Sequence, residues 1–141
     1  MNHADFILKF YQTVWSGGDI DAISDFFAPD ARLDGFAHDM ALRPEDFVVF
    51  TQGLLRLVEQ PRFEILRVIS EGDEAAALIR CNGLCARTGK PAEITAQIML
   101  RFKDGKVVEA YNHVDMLTLF ISLGLMPPDT LERMLAVVPF R

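Results

Sequence analysis

Apolar positions in the first sixteen residues recur with helical spacing. Phe6, Ile7, Phe10, Tyr11, Val14 and Trp15 follow i, i+1, i+4 steps, which lays one broad stripe along a helix over 3–16. Gly17-Gly18 stops it, and Asp19 is placed to cap a second short helix carrying Ile20, Ile23, Phe26 and Phe27 before Pro29 blocks continuation. "ARLDGF" alternates enough for a brief strand and runs into an irregular segment, Gly35 to Leu42. The stretch "RPEDFVVFTQGLLRLVEQP" predicts a helix near 44–58. Pro44 suits its first turn, Glu45 and Asp46 favour the positive end of the dipole, and Phe47, Phe50, Leu54, Leu57 and Val58 share a side.

From Phe63 the period changes to two. Strands are predicted near 63–70, 74–87, 92–102 and 107–115, separated by "EGD", "TGK" and "KDGK". These connections are too short for crossover helices, so the four strands form an antiparallel meander. Helical spacing returns with Met116, Leu117, Phe120 and Leu123 up to Gly124, and again in "PPDTLERMLAVV". This order predicts an α+β fold in which N-terminal helices cover one face of a curved antiparallel sheet around a conical hollow, with a C-terminal helix. No repeat or linker divides the chain, so one domain is expected over 1–141.

Composition sharpens the picture in a few places. Half of the 141 residues are hydrophobic and 11 are Phe, a surplus that suits a pocket lining or a subunit interface. The formal net charge is -6, and the basic residues are scattered singly, so nucleic acid and anionic membrane are poor partners. No apolar run approaches the ~18 residues of a spanning helix and the N-terminus lacks a basic leader, which predicts a cytoplasmic protein. Cys81 and Cys85 have neither zinc nor redox spacing, and on one strand they would lie about 13 Å apart, so two reduced thiols are expected. No metal or organic-cofactor fingerprint occurs, and none is expected to bind.

Candidate chemistry concentrates in "VVEAYNHVDML". In extended chain Tyr111, His113 and Asp115 share one face, and Ala110, Asn112 and Val114 share the other. The polar trio is read as the inside of a small-molecule cavity. Apolar neighbours Val114, Met116 and Leu117 would favour a proton on Asp115, poising it for acid–base work; aspartate is equally a preferred N-cap for a helix starting at Met116. His113, about 6.6 Å away along the strand, suits a relay through a substrate oxygen or water, or a bond to a backbone carbonyl. Tyr11 and Trp15, four apart on the first helix, can present an O–H and an N–H to the cavity or simply pack the core. On strand 92–102, Gln97 belongs to the odd-numbered face. It orients substrate if that face looks inward, and meets solvent or a second subunit if it looks outward. His38 and Asp39 lie in the irregular segment, where binding residues concentrate.

The segments "FYQTVWSGGDIDAISDFFAPDARLDG" and "FKDGKVVEAYNHVDMLTLFISLGLMPP", with the helix near 44–58, give the chain its resemblance to the nuclear transport factor 2-like superfamily, and within it to the SnoaL-like polyketide cyclases. The resemblance implies a cone-shaped fold and a cofactor-free ring closure by intramolecular aldol condensation. It places the family's acid/base aspartate on Asp115. Tyr111 stands where the family commonly carries tryptophan, and Asn112 where an acidic residue is frequent; both departures bear on the substrate. A ketosteroid isomerase-like mechanism would draw on Asp34, yet its register is shifted by one and 94–102 contains no second acid.

The expected function is therefore a cyclase or isomerase working by enolate chemistry on a hydrophobic, oxygenated small molecule. Asp115 and His113 would be catalytic, with Tyr11, Trp15, Asp34, His38, Gln97 and Tyr111 binding substrate. The alternative is a non-catalytic ligand-binding module of the same fold. A homodimer joined through the uncovered sheet face is expected in either case.

Overall fold

The computed structural model describes residues 2–37 and 39–137. Helix α1, His3–Phe10, begins where the Asn2 side chain accepts the Asp5 N–H, and it buries Ile7 and Phe10. The predicted helix does not run on to 16 as an α-helix. It widens into a π-helical turn, Tyr11–Ser16, in which the Gly17 N–H reaches the Gln12 carbonyl at 2.8 Å. A Cβ at Gly17 would stand 2.7 Å from the Thr13 carbonyl oxygen, so the wide turn needs glycine there. Ser16 Oγ donates to the Pro61 carbonyl at 2.6 Å and ties the turn to the sheet.

Asp19 accepts the Ala22 N–H and opens a short 3₁₀ turn that leads into α2, Ile23–Phe26. Strand β1, Phe27–Ala37, is longer than the motif "ARLDGF" suggested, and a short β2, Met40–Leu42, follows. Helix α3, Pro44–Leu57, starts with the Asp46 carboxylate accepting the Arg43 N–H at 3.1 Å. The meander comprises β3 (Val58–Glu71), β4 (Glu74–Cys85), β5 (Pro91–Lys103) and β6 (Lys106–Val114); α4 (Met116–Ser122) and α5 (Thr130–Ala136) end the chain.

The sheet order is β2-β1-β6-β5-β4-β3. All pairings within the meander are antiparallel, as the short turns require, but β1 lies parallel to β6, with Asp34 beside Tyr111. That pairing joins segments separated by α3 and the whole meander, so no hairpin constrains its direction. Two irregularities in β3, between Glu59 and Arg62 and between Ile65 and Arg67, break the ladder where the strand bends. Gln60, at φ 51, turns the first of these and delivers Pro61 to the interior.

Alternation along the strands then sorts the residues. Ala77, Ile79 and Cys81 of β4, Ile98, Leu100 and Phe102 of β5, and Val107 and Ala110 of β6 are buried. Except for Cys81, they share one hydrophobic cluster with Ile7, Phe10 and Val14 from the N-terminal segment and Phe47 from α3. A smaller cluster unites Cys85 and Ala92 with Leu119 and Leu123, holding α4 against the end of the sheet.

Candidate functional site

A cavity of about 110 Å³ opens between the inner sheet face and the layer formed by α1, the π-turn and α3. Seven phenylalanines, Tyr11 and Trp15 line it together with aliphatic side chains of β4, β5 and β6. Phe47 is the hub of the aromatic wall, with ring centroids 6.2 Å from Phe10, 6.3 Å from Trp15 and 5.8 Å from Phe36. Tyr11 stacks on Phe63 at 4.6 Å. Among the described residues no charged side chain lines the cavity, and its side-chain polar groups belong to Tyr11, Trp15, Cys81 and Asn112.

Each of these four is held by its surroundings. Trp15 leans on Phe47 and Phe63, and its Nε1–H is buried with no hydrogen-bond partner. Asn112 projects inward from β6, and its Nδ2 is likewise buried and unpaired. Its backbone is crowded by Gly35 at φ +94, where a Cβ would collide with the Asn112 carbonyl. Burial raises the pKa of the Tyr11 phenol, and the neighbouring Cys81 adds to the effect. Burial also pushes the Cys81 thiol up to about 11, against a smaller opposing hydrogen bond from the Arg62 backbone. Both groups therefore keep their protons at neutral pH, so they can donate hydrogen bonds but are not bases there.

That retention has a testable consequence for stability. Because the folded-state pKa values are raised, proton binding favours the folded form, and the contribution is complete below the ordinary thiol pKa. It is lost as pH rises through the folded value. The urea midpoint is expected to hold steady between pH 7 and 8.5 and to fall from about pH 9 to 11. Chemical denaturation across that range, with Cys81→Ala as the comparison, measures it.

The model of the SnoaL-like domain matches residues 7–110. The chain belongs to the SnoaL-like domain family. Among solved structures it resembles IdmH of Streptomyces antibioticus, described as a candidate polyketide cyclase, at 25% identity over 86% of this chain and 97% of that one, with a TM-score of 0.74. AclR of Streptomyces galilaeus, described as a candidate hydroxylase, has 24% identity over 95% and 92% and a TM-score of 0.75. A candidate polyketide cyclase of Bacillus cereus has 24% identity over 86% and 79% and a TM-score of 0.76; at that identity the last two likenesses speak for the fold alone. A search among curated proteins finds no significant match.

Within this SnoaL-like fold the predicted site divides. Tyr11 and Trp15 line the cavity. Tyr111 and His113 do share a face, their rings 6.0 Å apart edge to face, but that face looks outward, Asp115 lies just beyond the end of β6, and all three are exposed. The expectation that they face the cavity is corrected: Ala110, Asn112 and Val114 are the inward set. Asp115 caps α4, accepting the Thr118 N–H at 3.0 Å and the Thr118 hydroxyl at 2.6 Å. Gln97, opposite His113 on β5, is also outward and exposed. Asp34 binds Arg32 Nε at 2.7 Å and borders a depression on the outer face. His38 lies outside the described residues.

A sheet covered by helices on one side places its polar alternates toward water, so the more polar face of β6 was the outer one. The missed residue is Asn112. Its signal was a single amide between Ala110 and Val114, a polar group in the apolar set. Among the described residues, no group of His, Cys, Asp or Glu side chains is arranged to hold a metal ion, and no helix is long and apolar enough to cross a membrane.

Proposed function

We propose that the chain works as one domain that receives a hydrophobic, uncharged, oxygen-bearing small molecule in the cavity. The observation that carries this reading is a wall of nine aromatic rings with no charged side chain among the described residues. Apolar burial supplies the affinity, and a charged ligand would be stripped of water without a counter-charge. Trp15 is the chain's single tryptophan, so its emission reports occupancy. Titration with neutral monocyclic aromatics is expected to change that emission saturably. A response only to charged ligands would sink the proposal.

A second reading, a cyclase or isomerase acting on the bound molecule without a cofactor, is supported by the likeness to IdmH. In it the Tyr11 hydroxyl, whose proton burial retains, donates a hydrogen bond to a carbonyl oxygen of the bound molecule. The exposed cap position of Asp115 counts against its serving as the acid/base there, and His113 shares that outward face. Asp115→Asn preserves the cap and is expected to leave cavity binding and turnover within about twofold. A fall in turnover of roughly 10²–10⁴-fold would instead assign acid–base work to Asp115.

The outer sheet face supports a homodimer. Ile69 is 72% exposed, Met99 60% and Tyr111 50%, on a face that also carries the Arg101–Glu109 and Arg32–Asp34 pairs. Apolar side chains ringed by paired charges suit a self-complementary contact. Sedimentation is expected to give a dimer at micromolar concentration and a monomer for Met99→Lys; a monomeric parent protein removes the claim.

A further inference from the structure

We propose that Trp15 Nε1–H and the Asn112 amide N–H form a pair of donors, each available to an oxygen of the bound molecule, so that the cavity selects a neutral, ring-sized carbonyl compound over a hydrocarbon of the same shape and over the matching carboxylate. This rests on the cavity's being the binding site. Both donors are shielded from water and neither has an acceptor within the fold. Buried donors are satisfied in the great majority of proteins, and an orphan that lines a cavity marks a position for a ligand atom. Here both side chains belong to the lining of the same cavity.

Their positions are built in from separate parts of the chain. Trp15 sits in the π-turn that Gly17 closes and that Ser16 ties to Pro61, between the rings of Phe47 and Phe63. Asn112 sits on β6 beside the glycine of β1 that permits close backbone approach, and Phe36, next to that glycine, reaches Phe47. Tyr11 and Cys81 keep their protons and add donors without adding charge.

Size narrows the class. The cavity, at about 110 Å³, is smaller than the roughly 150 Å³ apolar cavity that admits benzene, so a single ring is the upper scale of guest and a fused polycycle is excluded.

Calorimetric titration of the full chain with acetophenone, with α-methylstyrene and with benzoate tests the inference. α-Methylstyrene replaces the C=O by C=CH₂ and keeps the shape. Acetophenone is expected to bind at least roughly tenfold tighter than α-methylstyrene, and benzoate more weakly than either. Asn112→Leu and Trp15→Phe are each expected to lower the affinity ratio of acetophenone to α-methylstyrene by roughly tenfold. Unliganded Asn112→Leu is expected to melt above the parent protein, because an orphan donor has been removed.

Equal affinity of the parent protein for acetophenone and α-methylstyrene overturns the donor assignment and leaves the apolar cavity standing. Binding of neither one overturns the cavity reading and this inference with it. If Asn112→Leu does not fold, Trp15→Phe carries the same comparison, and unchanged ketone preference in Trp15→Phe overturns the pairing.

Discussion

Replacing Gly35 by alanine is expected to cost about 3–5 kcal/mol and to lower the melting midpoint by roughly 10–15 °C. Two effects combine at this position. Its φ of +94 is a backbone conformation that a Cβ makes strained, by about 1–3 kcal/mol. The new methyl would also be driven into the Asn112 carbonyl, which belongs to the neighbouring strand and cannot rotate away as a side chain would. Relief requires β1 to separate from β6 along their parallel pairing, and that displaces Asn112 from the cavity wall. Thermal unfolding followed by circular dichroism measures the loss. A midpoint within about 3 °C of the parent protein, roughly 1 kcal/mol, would show that the close approach of β1 and β6 is not as described.

Phe47→Ala is expected to be comparably damaging, at about 3–5 kcal/mol, because a fully buried ring leaves both its transfer free energy and a void. Phe47 is 4% exposed and contacts four rings from three parts of the chain: Phe10 of α1, Trp15 of the π-turn, and Phe27 and Phe36 of β1. Here the void opens into an existing cavity, so the variant has a second expected signature. A larger guest such as 2-acetonaphthone should gain affinity relative to acetophenone, since the removed ring makes room for the added one. Calorimetry with the two ketones reads this ratio, and denaturation reads the stability. An unchanged ratio despite lost stability would mean that Phe47 packs the core without bounding the guest.

Stability and recognition are therefore set by the same residues. The rings that close the core are the rings that wall the cavity, and the glycine that lets two strands approach also sets the place of Asn112 in the cavity wall. The outer face is a separate matter, with its own ion pairs and exposed apolar side chains, and changes there are expected to act on association more than on the cavity.

Much of the local structure was determined by the sequence alone. Asp19, Pro44 and Asp46 start helices through side-chain or dihedral preferences that need no distant partner, and the glycine-containing turns after β3, β4 and β5 impose antiparallel pairing by their length. The period-two pattern also established that Tyr111 and His113 share a face. Which side of the sheet that face occupies is a different kind of fact. It depends on where α1, the π-turn and α3 pack, a choice between two faces made by summed burial across elements far apart in the chain. Only the tertiary structure placed Asn112 inside, paired β1 with β6 in parallel, and converted the end of the first helix into a π-turn, whereas the cap that Asp115 forms on α4 was one of the two readings the sequence offered. Alternation along a strand separates two faces by local geometry, while the inside of a protein is defined by what covers it.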